Sequence, residues 1–556
     1  MTSYAEAARS WLAEDPDPDT RAELSQLLTA GDEQALTDRF GSRLEFGTAG
    51  LRGALGAGPN RMNRAVVIRA AAGLAAYLRG IGGTAVVIGY DARHKSDVFA
   101  RDTASVMAGL GITASVLPRP LPTPVLAFAI RHLGAAAGVM VTASHNPPQD
   151  NGYKVYLGDG GQIVPPADGE ISAEIDAVGA LSSVPRSDEW TVLDDAVPEA
   201  YLDAVSSMPL LRALPQRDIA IAYTPLHGVG RDVVVAAFER AGFATLHVVQ
   251  QQGSPDPDFP TVAFPNPEEP GAIDLAMSLA RSTSADLVLA NDPDADRCAV
   301  AVPDADAEGG WRMLRGDEVG VLLADFLLEH GVVGRYATTI VSSSLLSKLA
   351  ARHDVPYSET LTGFKWIVQS GADLVYGYEE ALGYCVAPTI ARDKDGISAA
   401  LLLALLAATL KARGSTLVTR LDEIAMTYGV YATDQLSVRV ADIADIAAAV
   451  QRLRSAKPAV LGGLPVIGID DLSLGGSGLP PTEGLRYHLD GAARGYGAAR
   501  VVVRPSGTEP KLKSYLEVVV PVSDSVSQAR LQARRQLHEI GVDLTLALGF
   551  DTSSGA

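Results

Sequence analysis

Three aspartates alternate along "NDPDADR": Asp292, Asp294 and Asp296 follow directly on the apolar run "DLVLA". In extended backbone, alternate side chains share one face. Three carboxylates on one face repel unless a cation lies between them. Hard oxygen ligands suit Mg²⁺, which keeps further positions for water or phosphate. An EF-hand would need Gly at its sixth position and Glu at its twelfth; Arg297 and Pro303 stand there, which excludes it. A solvated acidic turn explains the composition but not the placement behind an apolar strand.

A second loop, "VMVTASHNPPQDNGYKVY", gathers Ser144, His145 and Lys154. A serine hydroxyl needs a nearby base or metal to act as a nucleophile. Lys154 follows "NG", a strong turn dipeptide, whose reversal would bring the lysine back towards Ser144. A phosphoryl group on Ser144 would supply a further metal ligand beside the aspartates. The plainer alternative is a capping serine with His145 hydrogen-bonded in a turn. In "VVVRPSGTEPKLKSYLEVVV", Arg504, Ser506, Thr508 and the Gly507 backbone form a donor cluster between two strands. Arg suits bidentate phosphate contact, although an ordinary Ser-Gly hairpin looks the same. "GYEEALGY" (377–384) offers Glu379 and Glu380 as acceptors for sugar hydroxyls, or simply a surface acidic pair. "TLTGFKW" (360–366) and "RDKDG" (392–396) each place a lysine in a turn. "FGTAGLRG" (46–53) is a plausible anion loop with Arg52, and its glycine spacing does not fit GxGxxG.

The elements that must position these loops recur. Three segments, from Ala85, Asp218 and Ala337, run strand, turn and helix, then a second strand, then an apolar strand ending in a polar loop. Those endings are "GVMVTASHNPPQ", "DLVLANDPDADR" and "DLVYGYEEALGY". Such alternation predicts three related α/β domains with mixed, mostly parallel sheets. In open α/β sheets, ligands bind beyond the carboxyl ends of the strands. From about Thr427 short strands alternate with turns and end in an amphipathic helix, Asp524 to Ile540, with Ser523 as its expected N-cap. That predicts a smaller C-terminal α+β domain. The expected domains are 1–210, 211–314, 315–427 and 428–556. The Pro- and Asp-rich stretch 253–274 reads as a long ordered loop, and such loops are often functional.

Length and charge set the outer bounds. A chain of 556 residues exceeds one core and implies about three or four domains. The net charge of −20 disfavours nucleic-acid and anionic-membrane partners. Cys298 and Cys385 read as two reduced, buried thiols. The acidic first residues lack a basic stretch ahead of a long apolar one, so no secretory signal is expected and a cytoplasmic location is. The apolar run Ile397 to Leu410 is too short for a bilayer, which takes ~20 residues, and reads as a buried helix.

Taken in order, "FGTAGLRG", "TASHNP", "DPDADR", "GYEEALGY" and "RPSGTEPK" resemble the α-D-phosphohexomutase superfamily, and most of all its phosphoglucomutase branch with phosphopentomutase activity. The resemblance spans nearly the whole chain. It implies four domains around a cleft, with domains for the phosphoserine, the metal, the sugar and, last, a phosphate-binding lid. It implies a phosphoserine at Ser144, Mg²⁺ on Asp292, Asp294 and Asp296 together with that group, and His145 and Lys154 as acid/base candidates. Arg52 would act at the transferring phosphate and Arg297 beside the metal loop. Glu379 would accept from sugar hydroxyls, with Glu380 as a substitute. Thr362, Gly363 and Lys365 would select the sugar, Lys394 would lie near the sugar phosphate, and Arg504, Ser506, Gly507 and Thr508 would hold the non-reacting phosphate. The implied reaction interconverts hexose 1-phosphate and hexose 6-phosphate through a sugar bisphosphate, with glucose 1,6-bisphosphate as activator. Glucose is the first expectation, mannose the second and ribose an alternative. Many members carry a serine two residues after the sugar-binding glutamate; Ala381 stands there. Two rivals stay open: a haloacid-dehalogenase-like phosphatase with Asp292 as nucleophile and Asp294 as acid, and a non-catalytic sugar-phosphate binder.

Overall fold

The computed structural model describes residues 4–305, 307–439, 443–476, 478–505 and 511–550. The chain forms two compact units, Met1–Leu314 with Gly383–Ala412, and Arg315–Leu382 with Arg413–Ala556.

The first unit holds two sheets. One runs in the order Leu51–Ala54, Asp150–Leu157, Ala137–Val141, Ala85–Tyr90, Thr113–Val116 and Thr191–Val192. Ala137–Val141 and Thr113–Val116 flank Ala85–Tyr90 in parallel, while Asp150–Leu157 returns antiparallel to Ala137–Val141. Ala137–Val141 is buried at every position, as a central strand covered on both faces should be. Val86, Ile88, Val139, Val141 and Val155 join Ile68, Leu74 and Phe99 in one core. The other sheet repeats the device. Ala220–Thr224 is parallel to Thr245–Val248 and Leu287–Ala290, and Ala299–Pro303 returns antiparallel to Leu287–Ala290. In each sheet, therefore, a central parallel strand passes through a loop into an antiparallel return strand.

Helix Gly396–Ala412 is buried from Gly396 to Leu410, as expected for a helix apolar all round. No single helix among the described residues is long and apolar enough to cross a membrane. Ahead of the first strand, helices Tyr4–Glu14, Pro18–Ala30 and Glu33–Phe40 close a small core of Ala8, Leu24, Leu36 and Ala57. Asp17 caps the second of these helices through Asp19 N, and Pro18 opens it.

In the second unit, Arg335–Thr339 lies between Tyr357–Thr360 and Leu374–Glu379 and is parallel to both. The C-terminal sheet is antiparallel throughout, in the order Val430–Arg439, Lys511–Val520, Ala498–Pro505, Leu485–Asp490, Leu464–Asp471 and Val460–Leu461. The architecture is thus α/β with mixed sheets and a smaller C-terminal α+β domain, as expected. The last helix differs in its limits: it spans Val526–Leu548, and Ser525 rather than Ser523 caps it, its Oγ accepting from Gln528 N. It outruns Ile540 because Leu544 and Leu548 continue the buried stripe one and two turns on.

Asp317, near the start of helix Gly316–Glu329, is buried and accepts from Ser343 N at 2.6 Å and from the Tyr378 hydroxyl at 3.2 Å. Burial pushes its carboxyl up to about 7. The folded state therefore holds a proton that the unfolded state has lost above about pH 4. Its contribution to stability is complete at acid pH and disappears as pH rises through about 7, falling by roughly 1.4 kcal/mol per pH unit between those limits. Asp317→Asn keeps the Oδ1 acceptor and should remove that slope. Denaturant unfolding of both proteins from pH 5 to 8 measures it; parallel curves would dismiss the assignment.

Candidate active site

The Ser144 loop sits at the carboxyl end of Ala137–Val141. Ser144 adopts φ 52°, in the left-handed region. Its N–H donates to Thr142 Oγ1 at 2.9 Å, and that hydroxyl donates to Asp91 Oδ2 at 2.6 Å. Its Oγ donates to Asp292 Oδ2 at 2.8 Å and lies 3.2 Å from His145 Nδ1. The expected turn at "NG" is not there. Asn151 and Gly152 lie inside strand Asp150–Leu157, paired with Gly53 and Arg52. The Asn151 amide is held by His94 O and Ser96 Oγ at 2.9 and 3.0 Å, which favours the extended pairing over a turn. The chain reverses earlier, through Asn146 N to Ala143 O and Asp150 N to Pro147 O. Lys154 still comes back, carried by the antiparallel register opposite Met140.

Asp292, Asp294 and Asp296 converge as the alternation suggested, but by a turn and not by extended backbone. Ala295 takes φ 53° and its N–H donates to Asp292 O at 2.8 Å. The three side chains offer ligand oxygens within 4.8 Å of one another, all buried. Lys154 Nζ donates to Asp294 Oδ2 at 2.7 Å and Asp296 Oδ2 at 3.0 Å. Lys394 Nζ lies 3.4 Å from Asp296 Oδ2, and Arg297 Nε 3.9 Å from Asp296 Oδ1. Thr123, which sequence reasoning did not single out, donates from Oγ1 to Asp294 Oδ2 at 2.7 Å. Gly228 packs so closely that a Cβ would stand 2.3 Å from Pro293 Cα, so the aspartate loop needs that glycine.

These contacts leave Oδ1 of Asp294 and Oδ1 of Asp296 buried without a hydrogen bond. Buried carboxylate oxygens are rarely left so, and unpaired ones call for an ion. The residues present therefore fit a hard divalent cation. The electrostatics agree. Burial, with the charges of Asp294 and Asp296 added, pushes the Asp292 carboxyl well up. At Asp296 burial pushes the same way but is outweighed by Lys154, Lys394 and Arg297, so that carboxyl lies below its usual range. Burial, then the Arg297 and Arg52 charges, hold the His145 imidazole well below its ordinary value, so it is neutral at neutral pH.

Arg52 extends from strand Leu51–Ala54 and donates from Nη1 to Asn146 Oδ1 at 3.2 Å. Lys394 is fixed by its neighbours. Asp393 Oδ2 accepts from the Tyr156 hydroxyl and Gln162 Nε2, both at 2.8 Å. Asp395 accepts from the Tyr201 hydroxyl at 2.9 Å and from Ile397 N and Ser398 N at 3.0 Å, capping the buried helix. Asp393, Asp395, Tyr156 and Tyr201 were not among the candidates. Asp393 and Asp395 flank Lys394 in "RDKDG", and Tyr156 stands two residues beyond Lys154 on the same face of the strand; Tyr201 left no signal.

The second unit carries the other candidates. Glu380 Oε2 accepts from Ser342 Oγ at 2.8 Å and Thr339 Oγ1 at 3.2 Å. Glu379 closes strand Leu374–Glu379 and is 7% exposed. Thr362 and Gly363, the latter at φ 108°, precede the short helix Phe364–Val368, which contains Lys365. Arg504 lies near the end of Ala498–Pro505, paired in register with Lys513 on the adjacent strand. Ser506, Gly507 and Thr508 lie outside the described residues.

Models of the phosphoglucomutase/phosphomannomutase family match along the chain: alpha/beta/alpha domain I at residues 43–181, domain II at 199–308, domain III at 315–428 and the C-terminal domain at 436–524. A Haemophilus influenzae protein named "Probable phosphomannomutase" is 48% identical over 465 residues, covering 82% of this chain and 93% of its own. A Schizosaccharomyces pombe protein named "Probable phosphoribomutase" is 37% identical over 569 residues, covering 92% and 93%. The crystal structure of pp63/parafusin from Paramecium, described as a phosphoglucomutase in its open form, matches with a TM-score of 0.70 at 18% identity. It covers 92% of this chain and 97% of its own, a likeness of fold. With four domain families in order and two relatives matched over most of their length, the chain belongs to the phosphoglucomutase/phosphomannomutase family of the α-D-phosphohexomutase superfamily and is an isomerase of the intramolecular phosphotransferase type.

Proposed function

We propose that this chain interconverts hexose 1-phosphate and hexose 6-phosphate, glucose first and mannose second, with Ser144 as the phosphoryl carrier. The observation that carries the reading is Ser144 Oγ itself, held in a left-handed turn 2.8 Å from Asp292, one of the three aspartates that could hold a cation. A phosphatase using Asp292 as nucleophile leaves unexplained why that carboxylate accepts the Ser144 hydroxyl.

Phosphorylated Ser144 gives its phosphoryl group to the free hydroxyl of a sugar monophosphate. The Ser O–P bond breaks, a sugar O–P bond forms, the hydroxyl proton passes to the neutral His145 imidazole as base, and the Lys154 ammonium is the acid that gives the released Ser144 oxygen a proton. The bisphosphate turns round, and its other phosphoryl group returns to Ser144. Arg52 and Arg297 steady the phosphoryl oxygens, because catalysis of this transfer is mostly positioning and charge neutralisation. Asp292, Asp294 and Asp296, with the oxygen on Ser144, would hold Mg²⁺, which when bound supplies charge neutralisation at the phosphoryl group. Glu379, at the end of strand Leu374–Glu379, is the first choice to accept from sugar hydroxyls, with Glu380 as a substitute. Thr362, Gly363 and Lys365 select the sugar, Lys394 meets its phosphate, and Arg504 with Ser506, Gly507 and Thr508 holds the non-reacting phosphate. The division at 210, 314 and 427 into phosphoserine, metal, sugar-recognition and phosphate-binding lid domains belongs to the same proposal. Glucose 1,6-bisphosphate would prime the enzyme. A phosphopentomutase acting on ribose 1-phosphate is the second reading, favoured by the S. pombe relative's name and by Ala381, which offers no hydroxyl.

The deciding experiment follows glucose 1-phosphate, mannose 1-phosphate and ribose 1-phosphate by ³¹P NMR, with Mg²⁺ and a trace of glucose 1,6-bisphosphate. Hexose 6-phosphate formation supports the proposal and ranks the sugars; ribose preference selects the second reading; inorganic phosphate without isomer overturns both. Ser144→Ala should lower kcat by roughly three orders of magnitude or more while circular dichroism and the unfolding midpoint stay close to wild type. Saturating Mg²⁺ should stabilise the wild type by mass action, by about 3 kcal/mol at a hundredfold excess over Kd, and so raise its thermal midpoint. Asp294→Asn should shrink that rise, and treatment with a chelator should abolish turnover until Mg²⁺ is restored.

A further inference from the structure

Ser144 is a non-glycine residue in the left-handed region, a conformation that persists only where the surroundings impose it. On its carbonyl side that turn is held by one guanidinium. Arg93 Nη2 donates to Ser144 O at 2.7 Å and Asn146 O at 2.5 Å, and Nη1 donates to Pro147 O at 2.8 Å and Asp150 O at 3.2 Å. Those carbonyls span the whole reversal between the two strands. Arg93 Nε lies 3.3 Å from Asp91 Oδ2, and the Phe259 ring covers the guanidinium with its centroid 4.9 Å from Cζ. Both side chains are nearly closed off, Arg93 at 4% exposure and Phe259 at 2%.

The grip is two-sided. Asp91 Oδ1 accepts from Arg93 N at 3.0 Å and from Ser96 Oγ at 2.7 Å, and Oδ2 accepts from Thr142, whose oxygen takes the Ser144 N–H. Asp91 therefore holds the N–H side of Ser144 and Arg93 its carbonyl side. Phe259 belongs to the long Pro- and Asp-rich stretch 253–274, and its neighbour Asp258 pairs with His94 at 2.8 Å. That stretch closes over the "DARH" turn from the neighbouring sheet.

We infer that Arg93, clamped by Asp91 and Phe259, is the positioning residue that keeps Ser144 in its left-handed turn and so aims Oγ at Asp292. The inference rests on the phosphoseryl reading of Ser144. The guanidinium is committed to backbone carbonyls and Asp91, so its hold does not depend on whether Ser144 carries a phosphate. Only a planar fork with five donors reaches four carbonyls at once; a lysine ammonium presents three donors from one point. Without the fork the loop relaxes and Oγ leaves its line of transfer, and a displacement of about 1 Å can lower a rate about a hundredfold.

The test uses the full chain as wild type, Arg93→Lys, Arg93→Ala and Phe259→Leu. Arg93→Lys should lower kcat by about 10- to 100-fold and leave KM for the turned-over sugar phosphate within about twofold; Phe259→Leu should show a smaller loss of the same kind. Hydrogen exchange should quicken in the peptide covering residues 142–151 and not elsewhere. Millimolar methylguanidinium should recover part of the kcat of Arg93→Ala, and methylammonium should not. Wild-type kcat and exchange in Arg93→Lys would overturn the inference, as would exchange quickened across the whole first unit, which would make Arg93 a prop of the fold. Mass spectrometry of the Ser144 peptide after incubation with glucose 1,6-bisphosphate separates the two readings. A wild type that never carries phosphate overturns the carrier role of Ser144, while local exchange still decides whether Arg93 holds the loop.

Discussion

Three carboxylates buried side by side are what the first unit is arranged around. Taking even one such charge out of water costs several kcal/mol in a real protein, and Asp292, Asp294 and Asp296 are fully buried together. The compensation comes from distant parts of the chain. Thr123 opens a helix, Ser144 sits in a hairpin, Lys154 lies on the return strand, Arg297 follows the aspartates, and Lys394 arrives from a segment almost a hundred residues further on. Asp393 and Asp395 in turn fix Lys394 against Tyr156 and Tyr201, which ties Gly383–Ala412 into the first unit. Every one of these partners is a donor or a cation, and two carboxylate oxygens still accept nothing, so the arrangement is complete only with a further positive charge.

The serine and the aspartates are delivered by the same local device. In both sheets of the first unit a central parallel strand runs into a loop and comes back antiparallel. Each loop contains one residue in the left-handed region, Ser144 at φ 52° and Ala295 at φ 53°. The parallel strands bury apolar runs on both faces, so polar residues can gather only past their carboxyl ends. The rigid sheet places the loop, and the left-handed residue aims its side chains.

The second unit is held by a different polar arrangement. Glu517, on a C-terminal strand, accepts from Ser343 Oγ, Ser344 N and Ser344 Oγ, each at 2.8 Å. Arg500 donates to Ser342 O at 2.5 Å, and Arg486 and Arg500 both pair with Glu359. Buried charged hydrogen bonds of this kind confer geometry more than net stability. They explain why the sheet carrying Glu379 and the sheet carrying Arg504 form one compact body.

The α/β class, the buried helix, the aspartate cluster and the Ser144 loop were legible in the sequence, because apolar periodicity and unusual polar residues directly after apolar runs are local signals. Local signals also misled. "NG" is a turn dipeptide, yet Asn151 and Gly152 are strand residues because neighbouring strands and His94 O claim their polar groups. Ser523 and Ser525 both suit a helix start, and only the Oγ of Ser525 meets a free amide. The aspartates converge through a turn at Ala295, which alternation cannot reveal. Ser506, Gly507 and Thr508 lie outside the described residues, so the donor cluster expected around Arg504 stands on its sequence alone. Tyr156, two residues beyond Lys154, and Phe259, inside the long Pro- and Asp-rich stretch, left only a hint, and Thr123 and Arg93 left none. The sequence by itself determined which chemical groups the protein carries and that they stand at strand ends. Tertiary structure alone decided which of them meet, because a partner more than a hundred residues away is chosen by sheet register and by the need to satisfy buried charge, and neither is written in any local stretch.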